Sequence, residues 1–193
     1  MKPEVQPEVE PEVKHDSKAH TKPGAMLILI DMQAGLMPHI HDGAAVLKRC
    51  ATLIAAAALL DIPVLVTEQN PRGLGATVDG LIGEHRVIQK HTFNATLCPE
   101  FVAALPSKET VLFVAGCEAH VCVLLSVTGL LKLGYTVELI ADATGSRAPE
   151  NKAIALTRAQ REGAFTTTTE TTVFGWLESC NHPRFREALA LIK

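Results

Sequence analysis

The run VLFVAGCEAHVCVLLSVTGLL, Val111 to Leu131, decides how the rest of the chain is read. It opens on four apolar residues, Val111 to Val114, the pattern of a strand buried on both faces of a parallel sheet. Beyond Gly116 the period changes. From about His120 the residues Val121, Leu124, Leu125, Thr128 and Leu131 recur at helical spacing, so a strand passes through a short turn into a helix. Cys122 falls in the first turn of that helix, where unpaired backbone N–H groups and the positive end of the helix dipole favour a thiolate. The N–H groups of Glu118 and Cys122 would hold the oxyanion formed when such a thiolate attacks a carbonyl. A lone cysteine on an apolar helix is more often a packing residue. Residues elsewhere in the chain separate these readings.

Upstream, MLILID (26–31) is a second buried-strand run, ending on a charged residue, Asp31. A helix is expected from Asp42, a candidate N-cap, to about Leu60, with Ala45, Val46, Arg49, Leu53, Ala56 and Leu60 at helical spacing. Pro63 introduces the strand VLVT, and the loop EQNPRGLGATVDG follows, with a proline and glycines that argue against any regular element. A loop of this length suggests a flap over a site. A shorter strand, Arg86 to Gln89, ends at Lys90, and a helix is expected near residues 97–105. Downstream come a strand TVELIAD ending near Asp142, the turn ATGSRAPEN, a helix from about Glu150 to Gly163, a strand in GAFTTTT, a helix from Glu170 to about Glu178, and a last helix in PRFREALALIK.

Strands alternating with helices imply a three-layer α/β/α domain, an open six-stranded parallel sheet with helices on both faces. In such sheets the ligand crevice lies beyond the carboxyl ends of the strands, where strand order reverses. Asp31, Lys90 and Cys122 stand at or just after the carboxyl ends of three strands, so one crevice can hold them all. The domain is expected to span 24–193. Residues 1–23 open with the Pro/Glu/Val repeat PEVQPEVEPEV and read as a disordered tail, since proline removes backbone donors and charge opposes collapse.

Net charge is −3 and aromatic content 4%, which offers neither a basic footprint nor a stacking platform for nucleic acid. A small-molecule substrate fits better. No apolar run reaches the ~18–20 residues that cross a bilayer, and no signal-peptide core opens the chain. The five cysteines, Cys50, Cys98, Cys117, Cys122 and Cys180, form no CxxC pair, which suits reduced thiols in the cytoplasm.

Within the expected crevice, Asp31 can take the Cys122 proton and return it to a leaving amine, as general base and acid. Lys90 would stabilise the Asp31 charge and the negative charge that develops during attack. Taken singly, Asp31 reads as a turn aspartate and Lys90 as a surface charge; their delivery to one edge favours a site. His39, His41 and Asp42 form an HxHD cluster that lacks a further spaced ligand, so a solvent-facing loop is expected. His120, beside the sulfur, reads equally as a substrate contact or a structural histidine. The glycines of RGLG lack the Lys-Ser/Thr of a phosphate loop.

These residues carry a resemblance. LILIDMQ around Asp31, KHTFNA with Lys90 and Phe93, GCEAHVCVLLSV with Cys122, ELIADATGSR and REGAFTTTTETTVF are similar to the isochorismatase-like cysteine hydrolase family. The TEQNPRGLGATV loop and the HVC triplet resemble its isochorismatase domain-containing subgroup. The resemblance implies an Asp31, Lys90 and Cys122 triad, a thioester on Cys122, and an oxyanion hole at Glu118 and Cys122 beside a cis Cys117–Glu118 bond. It also implies substrate contact by Phe93, cleavage of a C–N bond in a small amide, and a homo-oligomer. Ala119 stands where many relatives carry Thr. Nicotinamidases bind a metal through an Asp and two His after the second strand. Here Glu68, Gln69 and Asn70 occupy that loop, and neither a metal nor another cofactor is expected. A rival reading is a thiol-based redox or interaction protein using Cys117 and Cys122 without turnover.

Overall fold

The computed structural model describes residues 24–81 and 83–193. The Pro/Glu/Val tail expected over residues 1–23 lies outside the described residues. The elements run β1 (Ala25–Ile30), α1 (Gly43–Leu59), β2 (Val64–Gln69), α2 (Pro71–Leu74), β3 (Arg86–Lys90), α3 (Pro99–Val102), β4 (Val111–Cys117), α4 (Leu124–Lys132), β5 (Val137–Gly145), α5 (Pro149–Arg161), β6 (Phe165–Thr167), α6 (Thr169–Leu177) and α7 (Phe185–Ile192). All strand pairs are parallel, in the order β3-β2-β1-β4-β5-β6. From β1 the chain steps outward through β2 and β3, then returns to the centre and steps the other way from β4. Strand order therefore reverses between β1 and β4, which opens a crevice at their carboxyl ends.

Alternate residues of the central strands serve opposite faces. Ile28, Ile30, Leu112 and Val114 pack with Phe101, Leu124, Val127, Leu130, Ala155 and Ala159 from α3, α4 and α5. Leu27, Leu29, Phe113 and Ala115 pack with Val46, Cys50, Leu53 and Ala57 of α1. Against the outer side of α1, Ala56 meets Val173 and Leu177 of α6 and Ala188 of α7. The continuous apolar runs in β1 and β4 follow from burial on both faces.

Several elements depart from the expected pattern for local reasons. The helix near 97–105 reduces to a 3-10 turn (Ala95–Leu97) and the single turn of α3. Pro99 lacks the N–H that would join them. The loop after β2 contains the short helix α2: Pro71 sits at its start, where a missing N–H leaves nothing unpaired, and Gly75 at φ 75 ends it. Asp42 precedes α1 but makes no side-chain cap; it adopts a left-handed conformation, and its carboxylate meets His41 Nδ1 at 3.4 Å. β5 continues past Asp142 to Gly145, because a register shift between Val114 and Gly116 pairs Gly116 with Thr144 and Cys117 with Gly145. β6 holds only three residues, since Thr168 leaves it to cap α6 by accepting from the Thr171 N–H.

Candidate active site

Asp31 follows the last residue of β1 and turns sharply out of the sheet at φ 50. Its side chain is wholly buried, yet both carboxylate oxygens have donors. Thr67 Oγ1 of β2 donates to Oδ1 at 2.6 Å, and Lys90 Nζ donates to Oδ2 at 2.7 Å. Lys90 ends β3, two strands away from β1, and its side chain spans that separation to reach the acid. The lysine is 2% exposed, so this is a buried ion pair rather than a surface one. Removing two such charges from water is costly unless each is fully partnered. Nζ accordingly donates a second bond, to Gln69 Oε1 at 2.9 Å.

Cys122 comes to the same place from β4. Between β4 and α4 the chain forms a π-helical turn, Ala119–Val123, instead of the α-helix expected from His120. The N–H groups of Val121 and Val123 both donate to the Glu118 carbonyl, at 3.1 and 3.2 Å, which widens the turn. The Cys117–Glu118 peptide is cis. Gly116, at φ 121, lies against β1 so closely that a Cβ would run into the Ile30 backbone. That approach brings the turn toward the end of β1 and sets the Cys122 thiol near the Asp31 carboxylate.

The thiol is not poised as a thiolate, contrary to the expectation from a helix start. Burial pushes it up to about 12, and the neighbouring Asp31 charge adds to the rise; Lys90 opposes it in part. With Cys122 only 6% exposed, desolvation outweighs a short helix's dipole. The resting group is a thiol close to a carboxylate that is held by an ammonium.

The Isochorismatase domain profile matches residues 25–171, most of the chain. This chain belongs to the isochorismatase family. Among its relatives, the isochorismatase domain-containing protein 2 of Xenopus laevis is 32% identical, over 87% of this chain and 83% of that protein. A solved structure described as the MAR1 ribonuclease from Caenorhabditis elegans superposes with a TM-score of 0.82 at 33% identity, covering 89% of this chain and 90% of that one. The ycaC gene product of Escherichia coli, described as an octameric hydrolase of unknown specificity, shares the fold with a TM-score of 0.79 at 23% identity, covering 95% and 89%.

Within this isochorismatase-family fold, the other predicted residues are placed unequally. His120 is half-buried in the turn; its Nδ1 lies 3.0 Å from Ser146 Oγ and its Nε2 3.5 Å from Asn151 Nδ2. The Glu118 side chain accepts from Arg147 Nε at 2.7 Å. Phe93 is 56% exposed, and its carbonyl faces Ser126 Oγ at 3.5 Å. His39, His41 and Asp42 lie on the surface, and no group of three or more His, Cys, Asp or Glu among the described residues is arranged to hold a metal. Cys117 and Cys122 are both free, and they belong to cores on opposite faces of the sheet, a poor arrangement for a disulfide between them. No helix among the described residues is long and apolar enough to cross a membrane.

Three residues that hold the site escaped the sequence reading: Thr67, Gln69 and Gln33. Gln33 is fully buried, with Nε2 donating to the carbonyls of Gln69 at 3.0 Å and Gly75 at 2.6 Å, and Oε1 accepting the Gln69 N–H at 2.8 Å. The strap that follows β2 is thereby tied down, helped by Glu68, whose Oε1 accepts from both N–H and Oγ1 of Thr77. The available signal was polar side chains at the end of an otherwise buried strand, VLVTEQ, where each must find a partner.

Proposed function

We propose that this protein is a cysteine-dependent amidohydrolase that cleaves the C–N bond of a small amide through a thioester on Cys122. One observation carries the reading: a single buried carboxylate, Asp31, bonded to the Lys90 ammonium, lies close to the Cys122 thiol. A carboxylate within reach of a thiol can act as a general base, and the same group once protonated as a general acid. The Cys122 sulfur attacks the amide carbon as its proton passes to Asp31, so a free thiolate never accumulates. The carbonyl oxygen takes up the negative charge and is held by the Glu118 and Cys122 N–H groups. When the C–N bond breaks, Asp31 returns the proton to the departing nitrogen, and an amine or ammonia leaves. Water then attacks the thioester carbon and gives a proton to Asp31. The C–S bond breaks, the acid product leaves, and the proton returns to sulfur.

Lys90 supports this cycle by electrostatics, since its charge offsets the negative charge on Asp31 and on the forming tetrahedral centre. The scheme draws on no cofactor or metal. Substrate contact by His120 and Phe93, and a homo-oligomeric assembly, belong to the same proposal; light scattering on the purified chain tests the assembly.

The experiment is a panel of small primary and carbamoyl amides assayed for ammonia, with unstructured RNA as a further substrate because of the ribonuclease description of one relative. Ammonia release that Cys122→Ser and Asp31→Asn each lower by about 10³-fold or more supports the reading, given that loss of a member of such a unit costs most of the chemistry. RNA cleavage retained in Cys122→Ser, with no amide turned over, refutes it.

A further inference from the structure

Gln69 is the last residue of β2 and stands beside the Asp31 and Lys90 pair. Its side-chain oxygen accepts from Lys90 Nζ at 2.9 Å, and its Nε2 donates to the His91 carbonyl at 2.9 Å. These partners fix which end of the amide faces the ammonium. Lys90 offers only donors and the His91 carbonyl only lone pairs, so a flipped amide would lose both bonds. The Gln69 backbone is held too, its N–H and carbonyl both bonded by the Gln33 side chain.

We propose that Gln69 is a positioning residue for Lys90, a neutral acceptor that holds the ammonium against Asp31 without adding a second negative charge beside the Cys122 sulfur. The inference rests on the role given above to Cys122. An ammonium has three donors. One goes to Asp31 and one to Gln69, which leaves one for the sulfur or a bound carbonyl. Charge matters as much as aim. Asp31 and Lys90 cancel, so the buried group is neutral until the sulfur ionises; a carboxylate in place of the amide would leave it one negative charge in excess and disfavour a thiolate. The neighbouring residue sharpens the contrast. Glu68 is an acid one position earlier, and its carboxylate bonds Thr77 in the strap, while the amide of Gln69 faces the lysine.

The test is the rate of Cys122 alkylation by iodoacetamide across pH, resolved at the Cys122 peptide by mass spectrometry on the full chain, with thermal unfolding as the check on folding. Gln69→Glu keeps the side chain's size and adds the charge. Its rate is expected to fall about tenfold at fixed pH, with the profile displaced upward by about one pH unit. Gln69→Met removes the acceptor without adding charge, and should slow alkylation roughly threefold with no such displacement. A side chain that merely fills space would leave the Gln69→Met rate at the wild-type value, since the Gln69→Glu shift follows from the added charge alone. A wild-type rate in a folded Gln69→Met protein overturns the inference, as does a wild-type rate and profile in a folded Gln69→Glu protein. Loss of folding in both assigns Gln69 to stability alone, and an unsubstituted protein whose Cys122 never labels leaves Gln69 no thiol to serve; either result also overturns it. The assay uses no substrate, so it is separate from the amidase reading, which fails if Cys122→Ser still releases ammonia.

Discussion

Replacing Lys90 with methionine should be among the most destabilising single changes in this protein, and its cost can be worked from the site. The Lys90 and Asp31 side chains are both fully buried and 2.7 Å apart. Methionine fills most of the lysine's volume but leaves a carboxylate in the interior with Thr67 as its remaining side-chain donor. Breaking a buried pair by removing one partner costs about 3–5 kcal/mol, because the surviving charge stays desolvated. Against the usual 5–15 kcal/mol of a folded domain, that is a large fraction. Neutralising both partners, in Asp31→Asn with Lys90→Met, removes the orphan charge and should recover part of the loss, so the double variant is expected to be more stable than the two single costs added together. Urea unfolding followed by circular dichroism, with linear extrapolation, measures all three. A cost below about 1 kcal/mol for Lys90→Met, as for an exposed ion pair, or strict additivity in the double variant, would refute the buried-pair reasoning.

Alkaline pH should weaken the fold. Burial is the first cause pushing both Cys117 and Cys122 from the ordinary 9.0 up to about 12, and Cys50 moves the same way. A proton held more tightly in the folded state stabilises it below the unfolded pKa and ceases to do so as pH rises through the folded one. Urea midpoints should therefore fall between about pH 9 and about pH 12, and less steeply in Cys117→Ala. Gly116→Ala drives a methyl into the Ile30 backbone at a φ of 121, and should destabilise by about 3 kcal/mol or more, read as a lower thermal midpoint. Gln33→Leu leaves the Gln69 and Gly75 partners of a buried amide unpaired; a loss of about 2–4 kcal/mol is expected, with faster tryptic cleavage at the exposed Arg72 of the strap.

The sheet and its crevice were legible in the sequence because the apolar runs MLILID and VLFV have no other economical burial, and because alternation with helices fixes parallel strands. The acid and the lysine could be assigned to one edge for the same reason. What could not be read was set by contacts distant in the chain. The π-helical turn at Ala119–Val123 comes soon after Gly116, which is seated against β1, and no local pattern announces either. The proline and glycines of PRGLG read as loop, yet Pro71 starts a helical turn that Gly75 ends. The Cys122 thiol was expected to be acidic from its place at a helix start, whereas burial and Asp31 reverse the sign. Partners of the polar residues in VLVTEQ depend on Gln33 and Lys90, 36 and 21 residues from Gln69, so periodicity carries no trace of them.

The central claim is that carbon from the substrate becomes bonded to one sulfur. Rapid mixing with a hydrolysed amide, an acid quench within a single turnover, and mass spectrometry of the Cys122 peptide would observe that bond directly. The account predicts an acyl group on Cys122 that appears with ammonia and decays with the acid product. Turnover with an unmodified Cys122 peptide at every time point would contradict it.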